Sequence, residues 1–366
     1  MSTLATVPVT VEEKRIARYR KIVFLTWFIT LDLIIFGVFV RLSDSGLGCP
    51  DWPGCYGKVT PIGALSEIQA AVQVLPDGPV TIPKAWIEMV HRYVGALLGL
   101  LIMSIGILAW RWRGTLGRTP TLAWAIFVAV CIQGAFGAWT VTLKLMPIIV
   151  TIHLLGGMTL LALMTWLAAR EKTHLPIQPQ SKAYVGWVAG AVFLLFMQIG
   201  LGGWVSTNYA ALACMDFPTC HGYLVPPMDF KNGYSVVRAL GEMPNGEAIS
   251  QNALTAIHWV HRNFALAVVA YIGILAWRLR KDPALRGPSN LVMTLLAAQF
   301  LTGLTTIFFQ WPLLIALLHS AGAAGLVIAT VTLMVRTAGI QPARRHGVAN
   351  VMGENMNQPT RVVKYA

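Results

Sequence analysis

The sequence predicts an all-α polytopic membrane protein, with eight transmembrane helices arranged as two parallel-repeat four-helix bundles. Three observations predict it. The 366 residues are 56% hydrophobic and 12% charged, with a mean hydropathy of +0.62, a balance outside that of soluble domains. Eight apolar runs, at 22–40, 86–110, 121–142, 147–169, 183–205, 254–277, 289–309 and 312–335, are each near the roughly 20 residues that cross a hydrocarbon core. Four unrelated motifs also recur 165 to 170 residues later, the mark of an internal duplication.

Taken in order, residues 1–21 are polar and basic, an expected cytoplasmic tail without a cleavable signal peptide. Residues 22–169 hold the first four runs and form the expected N-terminal bundle. The polar stretch REKTHLPIQPQSK, 170–182, is the linker, 183–335 the C-terminal bundle, and 336–366 a second cytoplasmic tail. The duplication ties the halves together. Cys49 and Cys55 recur as Cys214 and Cys220, Gln133 as Gln299, His153 as His319, and the His91-Arg92 pair as His261-Arg262. Each half has four spans and starts on the same side, so the repeats are parallel, related by an axis along the membrane normal.

The net charge of +13 invites a nucleic-acid reading, but its distribution excludes one. Twenty of the 28 lysines and arginines fall in the tails and in the connections that share their side. That side is cytoplasmic by the positive-inside rule, which places both termini inside. The expected location is the bacterial inner membrane, with the bilayer as partner and no nucleic acid.

The loops CPDWPGC, 49–55, and CMDFPTC, 214–220, then face an oxidising compartment. They read as two short intraloop disulfides, Cys49–Cys55 and Cys214–Cys220; reduced pairs or a metal site are the alternatives. The proline and aromatic residue inside each loop stiffen it and supply an apolar lip. Cys131, alone in a span, reads as core.

Four histidines lie in spans at related places: His91 and His153 in the first half, His261 and His319 in the second. With helix starts near Ala85, Pro147, Leu254 and Pro312, each lies about 10 Å down its helix at ~1.5 Å per residue. Intramembrane histidine is costly and marks function. Imidazoles presented at equal depth by two helices of a bundle suit the two faces of a heme iron, so these four are the candidate metal ligands. Gly95, Gly99, Gly156, Gly157, Gly322 and Gly325 follow them and read as thin walls for a macrocycle or as ordinary helix-packing positions. Arg92 and Arg262 read as propionate partners or as snorkelling side chains. His174 and His346 receive no role.

The halves differ at one position. The first carries Glu88, three residues before His91 and on the same helix face; the second carries His258 in IHWVH. A carboxyl beside a ligand pocket is a candidate acid/base, with a first-turn helix residue as the alternative. The asymmetry predicts one reactive half and one cofactor half.

The stretches VRLSDSGLGCPDWPGC, EMVHRYVG, TIHLLGGM, QIGLGGWVSTNYAALACMDFPTC, HWVHR and LLHSAGAAG together resemble the heme A synthase family, of the CtaA/Cox15 type. The resemblance implies eight helices in two pseudosymmetric halves. It implies oxidation of the C8 methyl of heme O to a formyl group by successive hydroxylations, giving heme A for terminal oxidases. It also implies that His261 and His319 ligate a bound heme b, that His91 and His153 line the substrate-heme site, and that Glu88 is the catalytic carboxylate. The family's paired loop cysteines match Cys49, Cys55, Cys214 and Cys220. Implied partners are heme O, heme O synthase (the farnesyltransferase), oxidase assembly factors and an electron acceptor that the sequence does not identify. His258 and the loop 222–250 receive no assignment. Two other readings compete: a di-heme b-type cytochrome exchanging electrons with quinone, and a small-molecule transporter built on parallel repeats. Glu88, present in one half only, favours the enzyme.

Overall fold

The computed structural model describes residues 10–342; residues 343–366 of the C-terminal tail, His346 among them, lie outside these. Eight long helices are present: α1 (Val11–Leu42), α2 (Ile82–Arg111), α3 (Thr121–Thr142), α4 (Pro147–Arg170), α5 (Val185–Thr207), α6 (Gln251–Leu279), α7 (Pro283–Phe308) and α8 (Leu313–Thr337). All eight are long and apolar enough to cross a membrane, and no strand is present among the described residues.

The apolar runs become helices because a bilayer offers backbone groups no partner but their own helix. Polar caps set where they start. Thr10 and Glu13 form a capping box on α1, with Glu13 N–H donating to Thr10 Oγ1 at 3.2 Å and Thr10 N–H to Glu13 Oε2 at 3.1 Å. Thr81 caps α2 by accepting from Lys84 N–H, and Ser250 caps α6 by accepting from Ala253 N–H. These caps lie outside the apolar runs, so the helices are longer than the runs. α1 extends back to Val11 through residues expected to be tail.

In the first half α1 packs on α2, α2 on α3, α3 on α4 and α4 back on α1; α5 to α8 repeat that order in the second. The halves meet where α4 lies against α5 and α8, and α1 against α8. Two apolar cores fill the ends of the helices remote from the cysteine loops. One gathers Tyr19, Val23, Ile102, Ile105 and Met164; the other gathers Val188, Ile272, Leu285 and Val292 with Met158 and Leu161 of α4. Beyond these cores, at the loop end, the helices carry the histidines and the glycines packed against them, beside two smaller apolar clusters, one with Ile68 and Met89 and one with Trp204, Val205 and Ile257. Cys131 is exposed on α3, not in the core as the sequence reading expected. Its small, weakly polar thiol can face lipid at little cost.

Buried polar side chains fasten the linker and the loop 222–250. The linker is fastened by Asp282, which caps α7 through Ala284 N–H at 2.9 Å and also accepts from Gln178 N–H at 2.8 Å and Ser181 Oγ at 2.7 Å. Within 222–250, Arg238 is buried and donates to the Asn208 side chain, and at 2.7 Å to the Glu242 carbonyl. Trp204 Nε1 donates to the Gly233 carbonyl at 2.9 Å.

Candidate heme-binding site

Each cysteine loop is a small hairpin with the same construction. Cys49 is bonded to Cys55 and Cys214 to Cys220, with Cα–Cα distances of 4.9 Å in both. The second cysteine of each pair exchanges two backbone hydrogen bonds with the residue three further on, Lys58 or Tyr223. The two turn residues between them have positive φ: Tyr56 and Gly57 in one, His221 and Gly222 in the other. Two successive positive φ values make a turn that needs outside support at its non-glycine position. The loop aspartate supplies it. Asp51 accepts from Tyr56 N–H at 2.6 Å and Gly57 N–H at 2.7 Å. Asp216 accepts from His221 N–H at 2.7 Å, Gly222 N–H at 3.0 Å and the Thr219 hydroxyl at 2.6 Å. The Thr219 hydroxyl and then the two turn N–H groups hold the Asp216 carboxyl down at about 2.

Both hairpins are anchored to the second helix of their half by the residue three before its histidine. Glu88 is buried and accepts from Cys49 N–H at 2.8 Å through Oε2, while Oε1 pairs with Arg92 Nη2 at 2.5 Å. In the second half His258 Nδ1 accepts from Cys214 N–H at 3.3 Å. The Glu88/His258 difference that sequence could not interpret is thus an exchange of one hydrogen-bond acceptor for another beneath the same loop.

Arg92 and Arg262 also face the loops. Arg92 Nη1 donates to the carbonyls of Asp51, Pro53 and Gly54 at 2.8, 3.2 and 2.6 Å. Arg262 Nη2 donates to those of Pro218 and Thr219 at 3.2 and 3.0 Å. Both guanidinium groups reach their own loop; Arg262 Nη1 stays buried without a partner.

The histidines pair within halves. His153 lies within electrostatic reach of His91, and His261 within reach of His319 and of His258. The helix starts differ from those expected: α2 and α6 begin further out, at Ile82 and Gln251, so His91 and His261 sit deeper along their helices than His153 and His319. The match between halves is unaffected. Every ring lies against a glycine of the neighbouring helix. A Cβ on Gly37 would stand 2.8 Å from His91 Nε2 and one on Gly202 2.9 Å from His261 Cε1. Gly137 and Gly303 stand in the same relation to His153 and His319, at 3.2 and 3.3 Å. The sequence reading missed this quartet, although its offsets of 165 and 166 residues match the repeat. Of the glycines it did select, Gly156 and Gly322 make room for the amides of Gln133 and Gln299, whereas Gly99 has no neighbour within 4 Å.

These residues suit a heme. The donors come as imidazole pairs, and among the described residues no group of three or more His, Cys, Asp and Glu side chains is placed to hold a bare ion. Three buried side-chain atoms without a partner belong to these sites: His153 Nδ1, Gln198 Oε1 and Arg262 Nη1.

The profile of COX15-CtaA, cytochrome oxidase assembly protein, matches residues 20–331. The chain belongs to the COX15-CtaA family. It is 37% identical over 321 residues to the heme A synthase of Shewanella oneidensis, covering 84% of this chain and 95% of the relative. It is 29% identical over 335 residues to that of Maricaulis maris, with 84% and 93% covered. With the heme A synthase of Alkalihalophilus pseudofirmus the identity is 26% over 301 residues, with 79% and 87% covered. Membership of the COX15-CtaA family and the eight apolar helices make this a multi-pass membrane protein that binds heme.

Proposed function

We propose that this protein is a heme A synthase, an enzyme that oxidises the C8 methyl of heme O to a formyl group by successive hydroxylations. The observation that carries this reading is a repeat-related pair of histidines in each half, with a buried carboxylate, Glu88, one turn before the first histidine of one half only. His261 and His319 would hold a resident heme b, and His91 and His153 would face the substrate heme O. The domain division follows: a substrate half at 22–169, a heme b half at 183–335, and the duplicated four-helix unit as the repeat. The heme b, when bound, supplies one-electron redox chemistry.

The remaining roles fall to the chain. Glu88 lies one helical turn from His91, about 4.5 Å along the axis. Removing hydrogen from a methyl group releases protons, and a carboxylate fixed by Cys49 N–H and Arg92 is positioned to take one up and pass it outward. Arg262 offers its unpartnered Nη1 to a propionate, and Arg92 would do so only by giving up a loop carbonyl. The cysteine hairpins cover the loop ends of both sites and keep water off the macrocycle edges. The bacterial inner membrane with both termini cytoplasmic, heme O synthase and oxidase assembly factors as neighbours, and a separate electron acceptor complete the reading.

Glu88→Gln tests it. The variant keeps the side-chain shape but cannot take up a proton. It should insert normally, retain its b-type spectrum and accumulate heme O or a hydroxylated intermediate. Wild-type amounts of heme A from Glu88→Gln would reduce Glu88 to an anchor for the loop. A di-heme b-type cytochrome serving quinone would make no heme A in either form.

A further inference from the structure

The two histidine pairs differ in what stands behind their rings. In the second half both imidazoles have side-chain partners at Nδ1. Thr302 Oγ1 lies 2.9 Å from His319 Nδ1, and its own proton goes to the Ala298 carbonyl at 2.8 Å. The hydroxyl is therefore left to accept, which places the ring proton on Nδ1 and leaves Nε2 as a lone-pair donor. The Gln198 amide nitrogen lies 3.1 Å from His261 Nδ1, 3.5 Å from its Nε2 and 3.2 Å from the His261 carbonyl, so it stands against the ring, nearer Nδ1. Its Oε1 is buried and unpartnered, and its amide N–H ties the ring to the His261 carbonyl of the same helix.

At the repeat-related positions of the first half stand Leu33 and Phe136, which have neither donor nor acceptor. His153 Nδ1 is buried without a partner; the main chain at Gln133 stands to His153 as that at Gln299 stands to His319, so the halves differ in the side chain at Nδ1 and not in the main chain. The difference does not extend to the rest of the site. The glycines against the four rings and the glutamines at 133 and 299 are matched between halves, and the hairpin anchors, Glu88 and His258, differ in chemistry but occupy the same place.

We infer that Gln198 and Thr302 are positioning residues that make the second-half pair a permanent heme site, and that Leu33 and Phe136 make the first-half pair a releasable one. A hydrogen bond at Nδ1 fixes the tautomer and orientation of a ligating imidazole and raises its basicity. Both effects hold an iron more tightly and favour its ferric state. Without such bonds a ring can turn from the iron at little cost, as an exchanging substrate and product require. The inference rests on the heme assignment proposed above and deepens it, since it assigns the residues that separate the cofactor site from the substrate site.

The test uses the purified full-length holoprotein and its b-type heme. Thr302→Val and Gln198→Leu should each speed transfer of that heme to excess apomyoglobin by about tenfold or more, and each should raise its midpoint potential. Thr302→Ser, which keeps the hydroxyl, should match the wild type. The two substitutions lie on different helices, so either variant tests the inference if the other fails to accumulate. Wild-type transfer rate and potential in the variant recovered would overturn it, as would a Thr302→Ser protein as leaky as Thr302→Val. Failure of the underlying assignment has a separate signature: His261→Ala and His319→Ala would then keep the low-spin spectrum of the wild type.

Discussion

The loop aspartates and the anchors beneath the hairpins show how single residues hold the loop end together. Asp216 supports a turn with positive φ at His221, and its carboxyl is held at about 2 by the Thr219 hydroxyl and two turn amides. A carboxyl that titrates lower in the fold than in the free chain, where it titrates near about 4, stabilises the fold above that value. The contribution is lost as pH falls toward about 2. Because the hairpin is solvent-accessible, the effect is local, on the order of 1 kcal/mol. Amide hydrogen exchange at His221 and Gly222, corrected for intrinsic rates, should lose protection below about pH 4. Asp216→Asn should show the same loss near neutral pH; full protection in that variant would contradict the role assigned to the carboxylate. The sequence displayed both aspartates and both histidine pairs, because these recur at the repeat offset. It did not display the shared function of Glu88 and His258. Acceptors of different chemistry can hold the same N–H, and residue type alone does not reveal the donor.

At the scale of elements, the eight spans were legible because bilayer thickness dictates the length of an apolar run. Their ends were not. Capping by Thr10, Thr81 and Ser250 continues the helices through polar residues that hydropathy assigns to tails and loops. The loop 222–250 was illegible for a related reason. It is fixed by isolated long-range pairs, Arg238 with Asn208 and Trp204 with the Gly233 carbonyl, which leave no periodic signal. The hairpins make a testable element. Mass spectrometry without reduction should find no free thiol at Cys49, Cys55, Cys214 or Cys220. Closing so short a loop restricts the unfolded chain by only about 2 kcal/mol. The hairpin has its own turn bonds and an anchor on α2, so Cys49→Ala should lower activity more than thermal stability. The reverse order would show that the bridge serves the fold rather than the cover over the site.

The whole molecule joins two similar halves that carry different surroundings for their imidazoles. Their loop ends are clamped together by Arg41 of α1. It donates to the Ser206 carbonyl at 2.7 Å and to Tyr209 Oη at 3.1 Å, while Asp44 accepts from Tyr209 Oη at 2.8 Å. Helices α4, α5, α8 and α1 pack along the seam between the halves, which fixes the two sites relative to one another. The account therefore requires both halves in one chain, one for the reaction and one for the electrons it releases. Pigment analysis tests this most directly. The full-length protein should be co-expressed with a source of heme O in a host that lacks its own heme A synthase, and the extracted hemes identified by mass. The account predicts heme A in the membranes and heme b in the purified protein. Membranes that contain heme O and no heme A, around a folded protein that retains heme b, would contradict it.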